Sequence, residues 1–427
     1  MTPLNWSDLD GSGQAAALGR PPARRSPELV AGVSAILDDV RSGGWAALCR
    51  IATRIDRRVP EEVAIAPIAV AARASLAADA ITAMELAAAN IRRFHEASRP
   101  TDTRVETMPG LLVEKAWRPL DRVGLSVPGG ATPLFSTLLM LALPALAAGV
   151  REITVVTPPT AGGLDPAIAL AAELCGIDSI WTVGGAHAIA ALAFGAGGIP
   201  ACPKICGPGN AWVAEAKTQV SALPSGPAID MPAGPSELMV IADRSASPRT
   251  VAADLLSQAE HDASAQVLLV TECEELRSAV LADVQRQVAD LPRADLARRS
   301  LEHGRAILVR DLADAAAVAN AYAPEHLCLA VDDPEPLIRA INNAGAIFAG
   351  HAAAESFGDY LAGSSHVLPT DGAARAWSGI TVHSFMKAIS IQRVSLEAGR
   401  ALAAPAAALA RLEALEAHAR AAEARAA

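Results

Sequence analysis

From Val123 onward the chain repeats one grammar: a short apolar run, a glycine-rich turn, then a helix. VGLSVPGG leads into an apolar helix at Pro133, EITVVTPP into PAIALAAELCG, SIWTVGG into AHAIAALAFG, and KICGPGN into AWVAEAKTQVSA. Strands this short and this apolar are buried on both faces, and the intervening helices supply the long crossovers that parallel pairing needs. The pattern predicts a mostly parallel sheet covered by helices. A second set follows: ELMVIAD, a helix around Val251 to Ala263, QVLLVTE, AILVRDL, HLCLAV and AIFAG, again separated by helices. Two units of like grammar predict an α/β chain with two Rossmann-like, doubly wound parallel-sheet domains. Identity between the two units is too weak to define a sequence repeat.

The flanks read differently. Residues 1 to about 60 have helical, amphipathic spacing around the Pro/Arg stretch RPPARRSP, and residues 77–98 read as one long helix. Near Val382 the strand grammar ends. The remainder reads as Ala/Leu/Glu/Arg helix with a break at Pro405, and Leu409, Leu412 and Leu415 recur every third residue toward His418. Such a stripe is expected to lie on a partner surface.

Composition narrows the function classes. With 427 residues, 52% of them hydrophobic, the chain can build more than one core. Lys and Arg number 36 against 46 Asp and Glu, a net charge of −10, which disfavours nucleic acid as a partner. The N-terminus has no basic region followed by an apolar run, so no secretory leader is expected. The uncharged stretch from Pro133 to Val150 contains Pro144 and runs straight into strand grammar, so it reads as a buried helix rather than a membrane span. The six cysteines are scattered without CxxC pairs, which points to reduced thiols and a cytoplasmic protein. No complete GxGxxG occurs, so the glycine turns alone do not establish a dinucleotide site.

Three polar clusters stand in apolar surroundings. In LLSQAEHDA, Gln258 and His261 are spaced i, i+3, so both can face one ion, although a plain polar helix face has the same spacing. In YAPEHLCLA, Pro324 should hold Ala323 extended, and Glu325–His326 opens a strand, an acid and an imidazole placed for proton transfer. An ordinary surface Glu–His pair fits equally. In ESFGDYLAGSSHVLPT, Asp359 and His366 sit in what reads as an irregular loop, where a turn-forming Asp and an exposed His are the plainer alternative.

DMPAGPSE (Asp230 to Glu237), LLSQAEHD, APEHL, FGDYLAGSSHVLPT and the tail LEALEAH resemble the histidinol dehydrogenase family, in the same order and with comparable spacing, from about residue 25 onward. That resemblance implies a zinc-dependent, NAD-linked enzyme that oxidises L-histidinol through L-histidinal to L-histidine. It also implies a homodimer whose C-terminal tails cross to the neighbouring subunit. The implied layout is an N-terminal arm (1–24), a first α/β domain with the zinc and catalytic residues (25–125 and 237–377), a second on the NAD side (126–236), and a dimerisation tail (378–427).

By matching motifs, zinc falls to Gln258, His261, Asp359 and His418, and the acid–base pair to Glu325 and His326. The same resemblance makes Ser236, Gln258, His261, His326, Asp359, His366, Glu413 and His418 substrate contacts. It assigns Ser126, His187 and Asn210 to NAD, with Ser126 standing where the family commonly has tyrosine and His187 where it commonly has glutamine. The shell would also accept manganese or cobalt. Glu413 and His418 lie roughly 140° apart on an ideal helix, so a helix serving one ligand with both should break between them. The alternatives are a relative oxidising another small amino or sulfonated alcohol, a zinc hydrolase using Glu325 and a metal-bound water, and a non-catalytic binding module.

Overall fold

The computed structural model describes residues 1–21, 25–129, 133–232 and 234–426. Parts of RPPARRSP, of the glycine turn after Ser126 and of DMPAGPSE, and the final alanine, lie outside them. Two six-stranded sheets carry the fold. One runs, in spatial order, Thr2–Asn5, Arg305–Leu308, Gln266–Thr271, Glu237–Ala242, His326–Ala330, Ala346–Ala349, with every neighbouring pair parallel. Its three central strands are buried at every position, so their apolar runs are continuous rather than alternating.

The other sheet runs Glu62–Ala64, Ser179–Thr182, Glu152–Thr157, Arg122–Ser126, Lys204–Cys206, Ala228–Ile229. It is parallel except at the edge strand Glu62–Ala64, which pairs antiparallel with Ser179–Thr182. At the ends of its middle strands the backbone approaches closely: Gly207 has φ 135°, and a Cβ there would lie 2.0 Å from the Ser126 carbonyl oxygen. Only glycine allows these two strand ends to meet.

Both units of strand–turn–helix grammar thus form as expected, but the grouping of residues 25–125 with 237–377 does not hold. The helix Pro27–Ile55 packs on Gly185–Phe194 and Ala211–Ser221, and the helices Ile65–Ser75 and Ala78–Ala97 pack on Pro166–Cys175 and Phe135–Ala148. These all cover the sheet that contains Glu62–Ala64 and Arg122–Ser126. An amphipathic helix records that it has an apolar face, not which sheet that face meets. The N-terminal arm, in turn, supplies an edge strand, Thr2–Asn5, to the other sheet.

The C-terminal region differs in two further ways. Met386–Val394 is a strand, joined antiparallel to Leu111–Pro119 and through it to Thr103–Met108. It is mostly exposed on both faces, so no period-two pattern marked it. The helix Leu396–Leu412 runs through Pro405, which is exposed, where water can take the hydrogen bond that the ring cannot make. The apolar stretch after Pro133 is the buried helix Phe135–Ala148, and among the described residues no helix is long and apolar enough to cross a membrane. All six cysteines are free thiols.

His95, on the helix Ala78–Ala97, is 0% exposed and neither ring nitrogen has a hydrogen-bond partner. Burial lowers its pKa from 6.5 to about 4. The unfolded chain therefore binds a proton below pH 6.5 that the folded chain refuses until about pH 4, so stability falls across that window. Between pH 7 and pH 5 this one group should cost about 2 kcal/mol. Urea unfolding of His95→Leu should show a pH 7-to-5 loss smaller by that amount; an unchanged loss would refute the assignment.

Candidate active site

Glu325 and His326 sit where the strand His326–Ala330 begins, against the first residue of Glu237–Ala242 (register Leu238 to His326). The main chain of Glu237 holds both. Its N–H donates to Glu325 Oε2 at 2.8 Å, and its carbonyl oxygen lies 3.1 Å from His326 Nδ1. A carbonyl can only accept, so Nδ1 carries the proton and Nε2 keeps its lone pair in the neutral ring. The ring stacks on Phe348 at 5.9 Å. The chain enters this pair through Ala323, which is left-handed (φ 57°) rather than extended as the following proline suggested. It caps the helix Leu312–Tyr322, and that tertiary demand outweighs the local preference.

The short helix Glu355–Tyr360 brings two carboxylates, one turn apart, to the same imidazole. Asp359 is thus helical, not in a loop. Its Oδ1 lies 3.5 Å from His326 Nε2, and Glu355 Oε1 lies 3.6 Å from His326 Nδ1. A Cβ on Gly358 would come within 2.2 Å of the Phe348 ring, so glycine lets this helix seat against the ring that stacks on His326. Burial pushes the Glu355 carboxyl up to about 8, and Ser257 Oγ donates to its Oε2 at 3.0 Å. Burial works against charge on His326, but Glu325, Asp359 and Glu355 together outweigh it and raise its pKa well above 6.5. Glu355 was not singled out from the sequence. Its signal was the i, i+4 spacing to Asp359 within ESFGDY, which places both carboxylates on one helix face.

Gln258 is the penultimate residue of the helix Pro248–Ala259 and 1% exposed, with neither amide atom hydrogen-bonded. His326 Nε2 and Asp359 Oδ1 are likewise buried without hydrogen-bond partners. His261 lies just past that helix end, its N–H on the Gln258 carbonyl at 3.2 Å, and it is exposed. Asp359 has its pKa lowered: burial opposes ionisation, and the adjacent His326, foremost, overcomes it. Among the described residues, His326, Glu355 and Asp359 form a trio of possible ligand atoms that all lie within 4.8 Å of one another. Ser236, partly buried, precedes Glu237, and its carbonyl accepts from the Gln266 N–H.

The site therefore lies at the amino ends of one sheet, and it faces the carboxyl ends of the other. His366 joins the two: its Nδ1 lies 3.1 Å from the Asp359 carbonyl, and its Nε2 lies 3.0 Å from Thr137 Oγ1 in the helix that follows Arg122–Ser126. The carbonyl fixes Nδ1 as donor, so Nε2 accepts from the threonine. Burial depresses the His366 pKa, consistent with that neutral form. Ser126 ends a central strand of the second sheet. Asn210 caps the helix Ala211–Ser221 and accepts from the Trp212 and Val213 N–H groups. Between them, buried Lys217 pairs with Asp230 and donates to the Gly207 carbonyl at 2.8 Å. The crevice where strand order reverses, between Arg122–Ser126 and Lys204–Cys206, is the usual ligand position of such sheets. His187 stands apart: it is 1% exposed, and its Nε2 is 2.9 Å from Asp56 Oδ2, which leaves only the buried Nδ1 without a partner.

Within one chain the tail does not reach this site. The helix Leu396–Leu412 ends at Glu413, Ala414 is left-handed (φ 59°), and a new helix runs Glu416–Glu423. The expected break between Glu413 and His418 is present. Arg411 pairs with Glu416 and Glu423 and braces the two helices together. Glu413 and His418 are exposed, as are Leu409, Leu412 and Leu415.

A family model described as histidinol dehydrogenase matches residues 20–426. A protein named histidinol dehydrogenase from Xylella fastidiosa is 46% identical over 99% of this chain and 98% of its own. One of the same name from Salmonella choleraesuis is 44% identical over 98% of this chain and 96% of its own. The crystal structure of histidinol dehydrogenase from Elizabethkingia anophelis superposes with a TM-score of 0.95 at 38% identity, covering 100% of this chain and 98% of that one. A match of this length and depth leaves one conclusion, that the chain belongs to the histidinol dehydrogenase family.

Proposed function

We propose that this chain oxidises L-histidinol to L-histidine in two successive two-electron steps, through L-histidinal, with NAD as hydride acceptor. The observation that carries this reading is the Glu325–His326 pair held by the Glu237 main chain beside the unpartnered donors of Gln258 and Asp359. Buried polar atoms without partners cost about 1–3 kcal/mol each. A mixed N/O donor set satisfied by a divalent cation such as zinc removes that cost. Gln258, His261 and Asp359 would hold the metal, which supplies a template for the substrate's imidazole and amino group and offsets the charge of Asp359. We assign NAD, the acceptor for both hydrides, to the crevice bordered by Ser126 and Asn210.

A cation held by Asp359 would offset the carboxylate charge that otherwise favours protonated His326. In the first step the neutral His326 Nε2 takes the hydroxyl proton while hydride leaves the carbinol carbon for NAD, and the C=O bond forms. In the second, water adds to the aldehyde carbon and Glu325 takes the water's proton. Its Oε2 is engaged by the Glu237 N–H, so Oε1 is the oxygen available to that water. His326, having released its first proton to solvent, takes the proton left on the hydrate while the second hydride leaves for a second NAD, so that the carboxylate forms and two protons and one hydride are accounted for. His366, in its neutral form, and Ser236 orient the substrate between the two sheets. The fourth ligand, His418, and the substrate contact Glu413 come from a second copy of the chain. Exposed Leu409 and Leu412 on one helix, with Leu415 beyond the break at Ala414, support that reading, since burying them against a second chain is favourable.

Incubated with NAD, the chain should form two NADH per L-histidinol and none from amino or sulfonated alcohols lacking the imidazole. A chelator should abolish turnover and zinc restore it; another alcohol turning over in place of histidinol would overturn the substrate. Glu325→Gln should slow the histidinal step by about 10²–10³-fold and the histidinol step far less, whereas His326→Gln should slow the first step. Equal effects of both variants on both steps, read by single-turnover kinetics, would contradict the division of labour.

A further inference from the structure

The N-terminal arm ends in a contact that the reaction does not explain. Arg20 reaches the buried carboxylate of Glu237 with two parallel hydrogen bonds, Nε to Oε1 at 2.5 Å and Nη2 to Oε2 at 2.9 Å. The same Nη2 donates to the Tyr322 carbonyl at 2.8 Å, and the guanidinium lies 4.0 Å from the centre of the Tyr322 ring. One planar group thus ties the residue whose main chain holds both Glu325 and His326 to the helix end just before left-handed Ala323, which leads into that pair. Other contacts lock the same unit. Asp371 N–H donates to Glu237 Oε1 at 2.9 Å, Tyr322 Oη donates to Gln266, and Gln266 Nε2 donates to the Gly19 carbonyl.

We infer that Arg20 is a positioning residue for catalysis: its two-point grip on Glu237 and its hold on Tyr322 set the Glu237 main-chain bracket that aims Glu325 and His326. A lysine has the charge but not the fork, and cannot hold both carboxylate oxygens and the carbonyl in one plane. Substrate affinity should respond less, because Gln258, His261 and Asp359 sit on other elements. The role rests on the reading of Glu325 and His326 as the acid–base pair.

The experiment uses the full-length, zinc-loaded protein in three forms: wild type, Arg20→Lys, and Arg20→Met combined with Glu237→Gln. The double variant leaves no unpaired buried charge, so it separates fold from aim. In both variants kcat should fall at least about tenfold, with KM for L-histidinol within about threefold, zinc content unchanged and Tm near wild type; small misplacements of catalytic groups cost rates of this order. A kcat within about twofold of wild type in either variant would overturn the inference, because Arg20 would then be only a structural anchor. If the wild type itself oxidises no histidinol, the proposed reaction fails, but the bracket is still read directly. A crystal structure of the double variant should show His326 Nδ1 beyond about 3.5 Å from the Glu237 carbonyl, and an unchanged contact would overturn the inference.

Discussion

Four buried polar atoms without hydrogen-bond partners set the terms for the rest of the molecule: both amide atoms of Gln258, Nε2 of His326 and Oδ1 of Asp359. Such atoms are costly, and four of them on neighbouring elements point to a partner from outside the chain that satisfies them. They cannot relax toward solvent, because the elements that carry them are fixed from behind. His326 sits in a fully buried parallel ladder, Asp359 on a helix that needs Gly358 to seat against Phe348, and Gln258 at the end of a helix packed on the same sheet.

The arrangement also explains why two similar domains use opposite ends. The first sheet offers the amino ends of its central strands, where the main chain of Glu237 can donate to one side chain and accept from the next. The second offers carboxyl ends, where strand order reverses and helix N-termini suit an anionic cofactor. His366 spans the gap, bonded on one side to the Asp359 carbonyl and on the other to Thr137. The two edges thus face each other across His366, an arrangement that the proposed hydride transfer between two bound molecules would use.

The sheets were legible because continuous apolar runs between helices leave few other architectures. What the sequence withheld was mostly tertiary. The helices of residues 27–97 carry apolar faces without an address, so they were grouped with the wrong sheet. Ala323 is left-handed despite Pro324, since the helix cap overrides the local preference. The strand Met386–Val394 is exposed on both faces and leaves no alternation to read. At the site, the motifs brought Glu325, His326, Asp359 and Gln258 to neighbouring elements. Glu355 was missed because ESFGDY reads as an irregular loop, and only on a helix does its i, i+4 spacing put it beside Asp359. The pairing of His187 with Asp56 depends on a helix more than a hundred residues away in sequence, which no local pattern encodes.

The tail is the part that one chain cannot complete. Its leucines are exposed, Leu412 at 83%, and its helix breaks where Glu413 and His418 would both need to face one ligand. If two chains build each site, residues lost from the body of one and the tail of the other fall in the same site of a hybrid dimer and leave its second site whole. The most direct measurement is to unfold, mix and refold two inactive variants, His261→Asn and His418→Asn, and assay NADH formation. Sites shared across a two-fold dimer predict recovery of about one quarter of wild-type activity, from hybrids with one intact site each. No recovery from hybrids shown to have formed would contradict it, and would return His418 to its own chain or to the solvent.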